Sequence, residues 1–537
     1  MNKIILLIGG LLAYSYAGAY HVSTEIQKKK ILLEVFTGIH CGNCPDGDFI
    51  SNNLWVAQPD NVYVVDIHAN YYAVPGAGEP DYRIEEGELL DADLGANNYG
   101  YPCGAINRRD YSEFSYAPYI LSRSSWGKKA KETHQQEAPV NLWLQSEWDG
   151  ATRTLKITVE GYYTAQVENE FNLLNIAITQ DNILGPQSGG GLGNNYNHRH
   201  TLRAFVTPAW GDTIAAPKQG DYFSREYTYI LPESVRDVPL HAEEIEVLAF
   251  VTKDKKEVLN ITGAKPGYSN YSKPLAAKLQ APDFAIANQY AYTFFEAKLK
   301  SETDVPVTSA DFQVTVNGTV QPATWEGTIP AFHTQAIQIA VNDYTVNDQN
   351  TYEVQLTSLN GQPVAGDKLS GTFAAPATTT PTILVEIKTD LFAEENLFRI
   401  KDREGQIVHE FGPYAGGENT LYKETVELEA DKYYCFEVID LWADGLATNP
   451  RGYYVLRNAD NTLIIQAYEV KTLGARTFFY TGLQGTDIPV VKAQENTPVE
   501  ISIYTLSGQR ISGLQHGINI VKYQAGDRTW TEKVILP

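Results

Sequence analysis

The chain is poor in sulfur, in positive charge and in long apolar runs. Four cysteines in 537 residues are too few for a disulfide-built scaffold. The 42 Lys+Arg stand against 65 Asp+Glu, a formal net charge of −23. No Lys/Arg cluster reaches the density that a phosphate backbone attracts, which argues against a nucleic-acid partner. Past the N-terminus no uninterrupted apolar run approaches the roughly 18 residues of a spanning helix, so no transmembrane segment is expected there. Neither paired carboxylates nor a Ser-His-Asp arrangement can be placed from spacing, which puts a hydrolase last. What is present is 11% aromatic residues, 34 of them Tyr, with charged residues at only 20%. That composition describes globular, β-leaning domains, and at about 100 to 200 residues per domain the chain holds four or five.

Asn2-Lys3, the apolar run 4–13 and the small residues Ala17-Gly18-Ala19 follow the order of a secretory signal, so residues 1–19 are expected to be a signal peptide. Residues 28–138 read as α/β. The apolar run Ile31-Leu32-Leu33-Glu34-Val35-Phe36 predicts a buried strand, helical spacing follows as far as Trp55, and Val62-Tyr63-Val64-Val65-Asp66-Ile67 predicts a second strand. Beyond Pro139 the texture changes to short alternating runs such as Thr154-Leu155-Lys156-Ile157-Thr158-Val159, the mark of antiparallel sheets with one wet face. We expect β-sandwiches at 139–263, 275–373 and 382–479 and a small β module at 484–537. The sandwiches are separated by Pro-containing linkers, with hairpin turns at Asn317-Gly318 and Asn360-Gly361.

The sharpest local feature is Thr37-Gly38-Ile39-His40-Cys41-Gly42-Asn43-Cys44-Pro45. A C-x-x-C between strand and helix puts the first thiol near the positive end of the helix, which favours thiolate. Cys41 is then the nucleophile candidate and Cys44 the resolving thiol of a redox-active disulfide. An inert disulfide and a metal site share the spacing.

This stretch resembles the thioredoxin superfamily, and Gly100-Tyr101-Pro102-Cys103-Gly104 adds to the likeness. The resemblance implies a thioredoxin-like head in which Pro102, in a cis peptide bond with Tyr101, faces the disulfide and shapes a substrate groove. It places His40 where the family usually has Trp, with a role in tuning the Cys41 thiolate. The implied reaction is thiol-disulfide exchange with protein disulfides. If the loop folds as the resemblance implies, Cys103 joins Cys41 and Cys44 near His40, with His68 at the end of the second strand, and two or three thiolates with one or two imidazoles would suit zinc or copper(I). Lys29-Lys30-Ile31-Leu32-Leu33-Glu34-Val35-Phe36-Thr37-Gly38, Asn107-Arg108 and Tyr196-Asn197-His198-Arg199-His200-Thr201-Leu202-Arg203 together resemble the Omp-twenty-eight-related outer membrane proteins of Bacteroidetes over about residues 28–262. That likeness implies an exported, envelope or surface protein without a settled activity.

His198 and His200, two apart, would share a face if they lie on one strand and could bind metal together; the alternative is an exposed polar edge. The neighbouring Ser188-Gly189-Gly190-Gly191-Leu192-Gly193 lacks the Lys-Ser/Thr of a phosphate loop and reads as a flexible connection. Asp440-Leu441-Trp442-Ala443-Asp444-Gly445 resembles a strand-and-turn motif of secreted Bacteroidetes β modules. Asp440 and Asp444 could hold calcium there, or Asp-Gly could simply make the turn. Cys435 reads as a small buried residue. The pattern Val499-Glu500-Ile501-Ser502-Ile503-Tyr504-Thr505-Leu506-Ser507-Gly508, with 517–522 and 533–536, resembles the type A sorting domain of the type IX secretion system. It implies transport across the outer membrane and attachment to surface lipopolysaccharide. A rival reading from another class is a non-enzymatic adhesion or ligand-binding surface protein in which the C-x-x-C is a structural disulfide.

Overall fold

The computed structural model describes residues 20–482, apart from 114, 169, 216, 283–291, 343, 413, 444, 447–450 and 469–473, together with strands at 500–505, 510–511, 517–525 and 528–536. The expected signal segment 1–19 lies outside the described residues. The chain divides into one unit ending at Gln484 and a second beginning at Gly485. Among the described residues no helix is long and apolar enough to cross a membrane.

Strands β1 (Ile31–Thr37) and β2 (Val62–His68) are buried along their whole length and run parallel, Ile31 opposite Val62 and Thr37 opposite His68. Burial on both faces is why these strands read as unbroken apolar runs instead of alternating ones. Helix α1 (Cys44–Ala57) joins them, with proline in its first turn and Asp46 at its positive end. Helix α2 (Glu85–Leu94) carries three glutamates in its first turn and stops at Gly95, whose φ of 85° lets the chain turn off the helix. Strand β3 (Cys103–Ile106) runs antiparallel to β1 with Cys103 opposite Phe36, β4 (Leu121–Ser122) lies outside it, and α3 (Trp126–His134) buries Trp126 and Ala130.

The boundary expected at 138/139 is not an edge of the sheet. Thirteen further strands follow: β5 (Val140–Asp149), β6 (Thr154–Tyr163), β7 (Phe171–Gln180), β8 (Ile183–Gly185), β9 (Tyr196–His198), β10 (Thr201–Phe205), β11 (Asp212–Ala215), β12 (Tyr222–Ile230), β13 (Ser234–Val235), β14 (Val238–Pro239), β15 (Ile245–Lys253), β16 (Val258–Ala264) and β17 (Gly267–Ser269). One sheet of nine strands runs β16-β15-β7-β10-β2-β1-β3-β4, with β11 on β7. Its two halves meet where β10 lies parallel to β2, Thr201 opposite Asp66. A single apolar cluster under this sheet contains Leu32 and Phe36 from the first half and Leu202, Leu248, Phe250 and Ile261 from the second. Strands β12-β6-β5-β17 form the opposing sheet, across a second core containing Trp148, Ile157, Ile176 and Val247. Burying both faces of the central strands in this way makes a mixed three-layer body instead of a head followed by a spacer.

Downstream, Phe294–Ser301 lies between Ala277–Gln280 and Thr334–Ala340, and these three strands pack against a five-stranded sheet around Val307–Val316 and Gln349–Leu359. A further pair of sheets, five and four strands, is built around Tyr433–Asp440 and Thr382–Lys388. This last sandwich docks on the α1/α3 face of the first body. Trp442 is buried in the cluster of Ile31, Leu33, Leu54 and Trp126, and Gln58 Nε2 donates to the Leu441 carbonyl at 2.8 Å. Lys131 Nζ sits 2.8 Å from Glu394 and 2.6 Å from Glu395. In the second unit the strands run in the order Arg510–Ile511, Glu500–Thr505, Gly517–Ala525, Arg528–Leu536, all antiparallel.

Candidate functional site at the Cys-x-x-Cys turn

The turn from β1 into α1 is wound tightly. Cys41 N donates to Gly38 O at 3.0 Å and Cys44 N to Cys41 O at 3.2 Å. Cys41 and Cys44 are joined in a disulfide across a Cα–Cα distance of 5.4 Å, and each is only 2% exposed. The Tyr101-Pro102 bond is cis, and Pro102 lies against α1 at Gly47. A Cβ there would come within 2.7 Å of the Pro102 ring, so glycine is what allows the loop and the helix to touch. Tyr101 is held from behind: its hydroxyl donates to Asp91 Oδ1 at 2.6 Å, and its ring stacks on Tyr72 at 5.4 Å. Burial raises the Asp91 carboxyl to about 6, against the opposing pull of that hydrogen bond.

His40, 41% exposed at its side chain, turns to Glu79, with Nε2 2.9 Å from Oε2. Cys103 lies in the same apolar cluster as the disulfide, its Sγ 4.0 Å from the Ala96 carbonyl, and burial pushes its thiol up. His68 ends β2, as its place in the apolar run predicts, yet its ring meets Tyr82 at 5.0 Å and His198 at 5.4 Å. The sulfurs and imidazoles weighed for zinc or copper are engaged otherwise: two sulfurs are in a disulfide, the third lies by a carbonyl, His40 pairs with Glu79, and the His68 ring packs on Tyr82 and His198. The oxygens of Asp440, which ends its strand, are held locally. They accept the backbone N–H groups of Trp442, at 2.9 Å, and of Gly445, while Asp444 lies outside the described residues. Among the described residues no group of three or more His, Cys, Asp or Glu side chains is disposed to hold a metal ion. Cys435 is buried and unoxidised, its thiol pushed up to about 12 by burial.

His198 and His200 do not share a strand face. His198 ends β9, while His200 lies between β9 and β10 with φ 49°. Nor are they an exposed edge: both are buried, at 5% and 3%. Desolvation lowers His198 to about 4. His68 is held well below its ordinary value by burial, with the charges of His198 and Arg203 acting the same way.

The Gly-rich segment expected to be a loose connection is packed onto the cysteine turn. Gln187 Nε2 donates to the carbonyls of Gly38 at 3.1 Å and Cys41 at 3.0 Å, and Ser188 N donates to Ile39 O at 2.8 Å. Gly189, with φ 78°, rests so close to Gly42 that a Cβ would lie 2.2 Å from its carbonyl oxygen. Sequence reasoning missed these contacts because they join residues 146 to 149 positions apart; the one local signal was three glycines in a row beside a Gln-Ser pair. Next to the turn a cleft of ≈ 820 Å³ is lined by Glu79, Tyr82, Leu184, Pro186, Arg236 and Val238. One wall ends at the partner of His40, the other one residue before Gln187.

Residues 93–270 match the family model of the outer membrane protein Omp28. Among solved structures, HBP35 of Porphyromonas gingivalis is similar at 18% identity over 65% of this chain and 99% of its own, with a TM-score of 0.37. A domain of the outer membrane lipoprotein Omp28 from Porphyromonas gingivalis is similar at 20% identity over 25% of this chain and 91% of its own, with a TM-score of 0.18. A protein from Agrobacterium tumefaciens is similar at 13% identity over 44% and 94%, with a TM-score of 0.30. None of the curated proteins matches the chain.

Proposed function

We propose that this chain is an exported surface protein of Bacteroidetes type whose thioredoxin-like head carries out thiol-disulfide exchange through Cys41 and Cys44. The observation that carries the reading is a disulfide placed where β1 enters α1, one helical turn from Gly47, on which the cis-Pro102 loop rests. The strand order β2-β1-β3-β4, with β3 antiparallel and α1 between the two parallel strands, supports it. In the reduced state the Cys41 thiolate attacks one sulfur of a protein disulfide, and the other substrate sulfur leaves as thiolate. Cys44 then attacks Cys41 Sγ in the mixed disulfide, which re-forms the Cys41–Cys44 bond and releases the second substrate thiol. Two electrons pass to the substrate. Pro102 shapes the groove, and His40, paired with Glu79, tunes the thiolate.

Surface placement is supported by the outer-membrane family matched over 93–270 and by the signal-like residues 1–19. The antiparallel module of residues 500–536 is read as a type IX sorting domain leading to lipopolysaccharide attachment. Deleting 485–537 is expected to leave the protein inside the outer membrane, as read by protease accessibility of whole cells.

The burial of both sulfurs favours a second reading, a structural disulfide in a surface protein that binds ligands through its β domains. Equilibration of the whole chain with glutathione buffers, then thiol trapping, separates the two. A reversible two-thiol transition between roughly −120 and −270 mV that disappears in Cys41→Ser and Cys44→Ser, but persists in Cys103→Ser, is expected for exchange. A bond still closed below roughly −300 mV selects the structural reading.

A further inference from the structure

The segment packed on the backbone of the cysteine turn is a separate piece of structure. Among the described residues β8 and β9 pair only with each other, so this hairpin is not woven into the nine-stranded sheet that carries the cysteine turn. Its tip reaches the turn through three hydrogen bonds, two from Gln187 and one from Ser188, and through the contact of Gly189 on Gly42. Both feet have φ in the left-handed region, 58° at Asn182 just before β8 and 49° at His200 just after β9, and Gly189, Gly191 and Gly193 of the tip have it too. A two-stranded element entered and left through such residues is suited to swing as a body, with a few residues taking up the change in φ and ψ.

We propose that the β8–β9 hairpin is a latch on the Cys41–Cys44 disulfide, and that thiol exchange at Cys41 requires it to lift. The inference takes its purpose from the exchange reading. A thiolate has to reach a sulfur in order to attack it, and with both cysteines only 2% exposed that approach is closed. Opening breaks these three hydrogen bonds and the bond from the Tyr196 hydroxyl to Asp48, and draws Ile183 and His198 away from Ile39, Tyr82 and His68, while the strand pairing of the large sheet stays intact. The cleft beside the hairpin, between Glu79 and Pro186, gives an arriving polypeptide a place to press on the latch from the His40 side.

The test uses the full chain and dithiothreitol. One reagent thiolate attacks Cys41 Sγ and Cys44 leaves as thiolate. The second reagent thiolate then closes the cyclic reagent disulfide and releases Cys41, so two electrons and two protons arrive at the protein. The rate is read by acid quench, alkylation and mass. Losing the two Gln187 hydrogen bonds, each worth roughly 1 kcal/mol net, is expected to speed reduction about thirtyfold in Gln187→Ala. Gly189→Ala, whose Cβ cannot sit against Gly42, is expected to do the same, while Leu192→Ser, exposed on the same segment and outside the cleft, keeps the wild-type rate. Hydrogen exchange at 186–194 faster than in β1 and β2 is expected as well. Equal rates in wild type and Gln187→Ala, with unchanged circular dichroism and unfolding midpoint, overturn the latch. So does a wild-type rate equal to that of the chain in denaturant. Acceleration together with a potential more reducing than that of exchange enzymes keeps the latch and removes the exchange reading.

Discussion

Arg108 has no water to turn to. It and Glu34 are both buried, joined by Nε to Oε2 at 2.8 Å and Nη2 to Oε1 at 2.6 Å, and the guanidinium lies 5.3 Å from the Phe250 ring centroid. Glu34 is thus occupied by a structural partner. Arg108→Met leaves a buried carboxylate alone and is expected to cost about 3–5 kcal/mol in denaturant titration, with the double change to Glu34→Gln recovering part of it. His198 makes the acid limb. Its folded value is about 4 against an ordinary 6.5, so between those pH values the unfolded chain takes up a proton that the fold refuses. Stability present above pH 6.5 is lost as the pH falls toward 4, by about 3 kcal/mol. Asp66 acts in the opposite sense: burial and the Asp48 charge raise its carboxyl, so its contribution is lost as the pH rises. Unfolding midpoints measured from pH 4 to 7 are expected to be flatter in His198→Phe than in wild type.

At the scale of elements, the turn of residues 440–445 is a docking device. Its aspartate closes the turn on backbone N–H groups so that Trp442 projects into the α1/α3 face, flanked by His134 at 5.5 Å. Trp442→Ala is expected to cost about 3–5 kcal/mol through the cavity left in that cluster, seen as a lowered unfolding midpoint with unchanged far-ultraviolet dichroism. The motif was visible in the sequence. The tryptophan's destination was not, because neither periodicity nor turn chemistry says which distant surface an apolar side chain will meet.

For the whole molecule, the continuous sheet decides what can fold alone. A fragment ending at 138 exposes the face of β2 that meets β10 and loses Leu202, Leu248, Phe250 and Ile261 from the shared core. It is expected to lack a cooperative thermal transition, whereas 20–270 keeps one, as calorimetry of the two fragments will read. The N-terminal arm adds to this unity: His21 Nδ1 lies 2.8 Å from Glu160 Oε1 on β6, and Asn141 on β5 donates to the Ser23 and Glu25 carbonyls at 2.8 and 2.6 Å. The change of texture at Pro139 marks entry into the half-buried strands β5 and β6 of the opposing sheet, and hydrophobic patterning records burial without recording which strands are neighbours.

The sequence by itself determined the strand, Cys-x-x-Cys, helix, strand order of the head and the β character of everything after it. These depend on short-range signals: apolar runs, alternation, and a proline at a helix start. It also marked Cys41, Cys44, Pro102 and His68 as residues to watch. Only the tertiary structure decided that His68 meets His198, that Glu34 is paired with Arg108, that two expected domains share one sheet, and that Gln187 and Gly189 pack on the backbone of the cysteine turn. Each of these joins residues roughly 70 to 150 positions apart, where packing and desolvation choose the partners and local pattern carries no information about them.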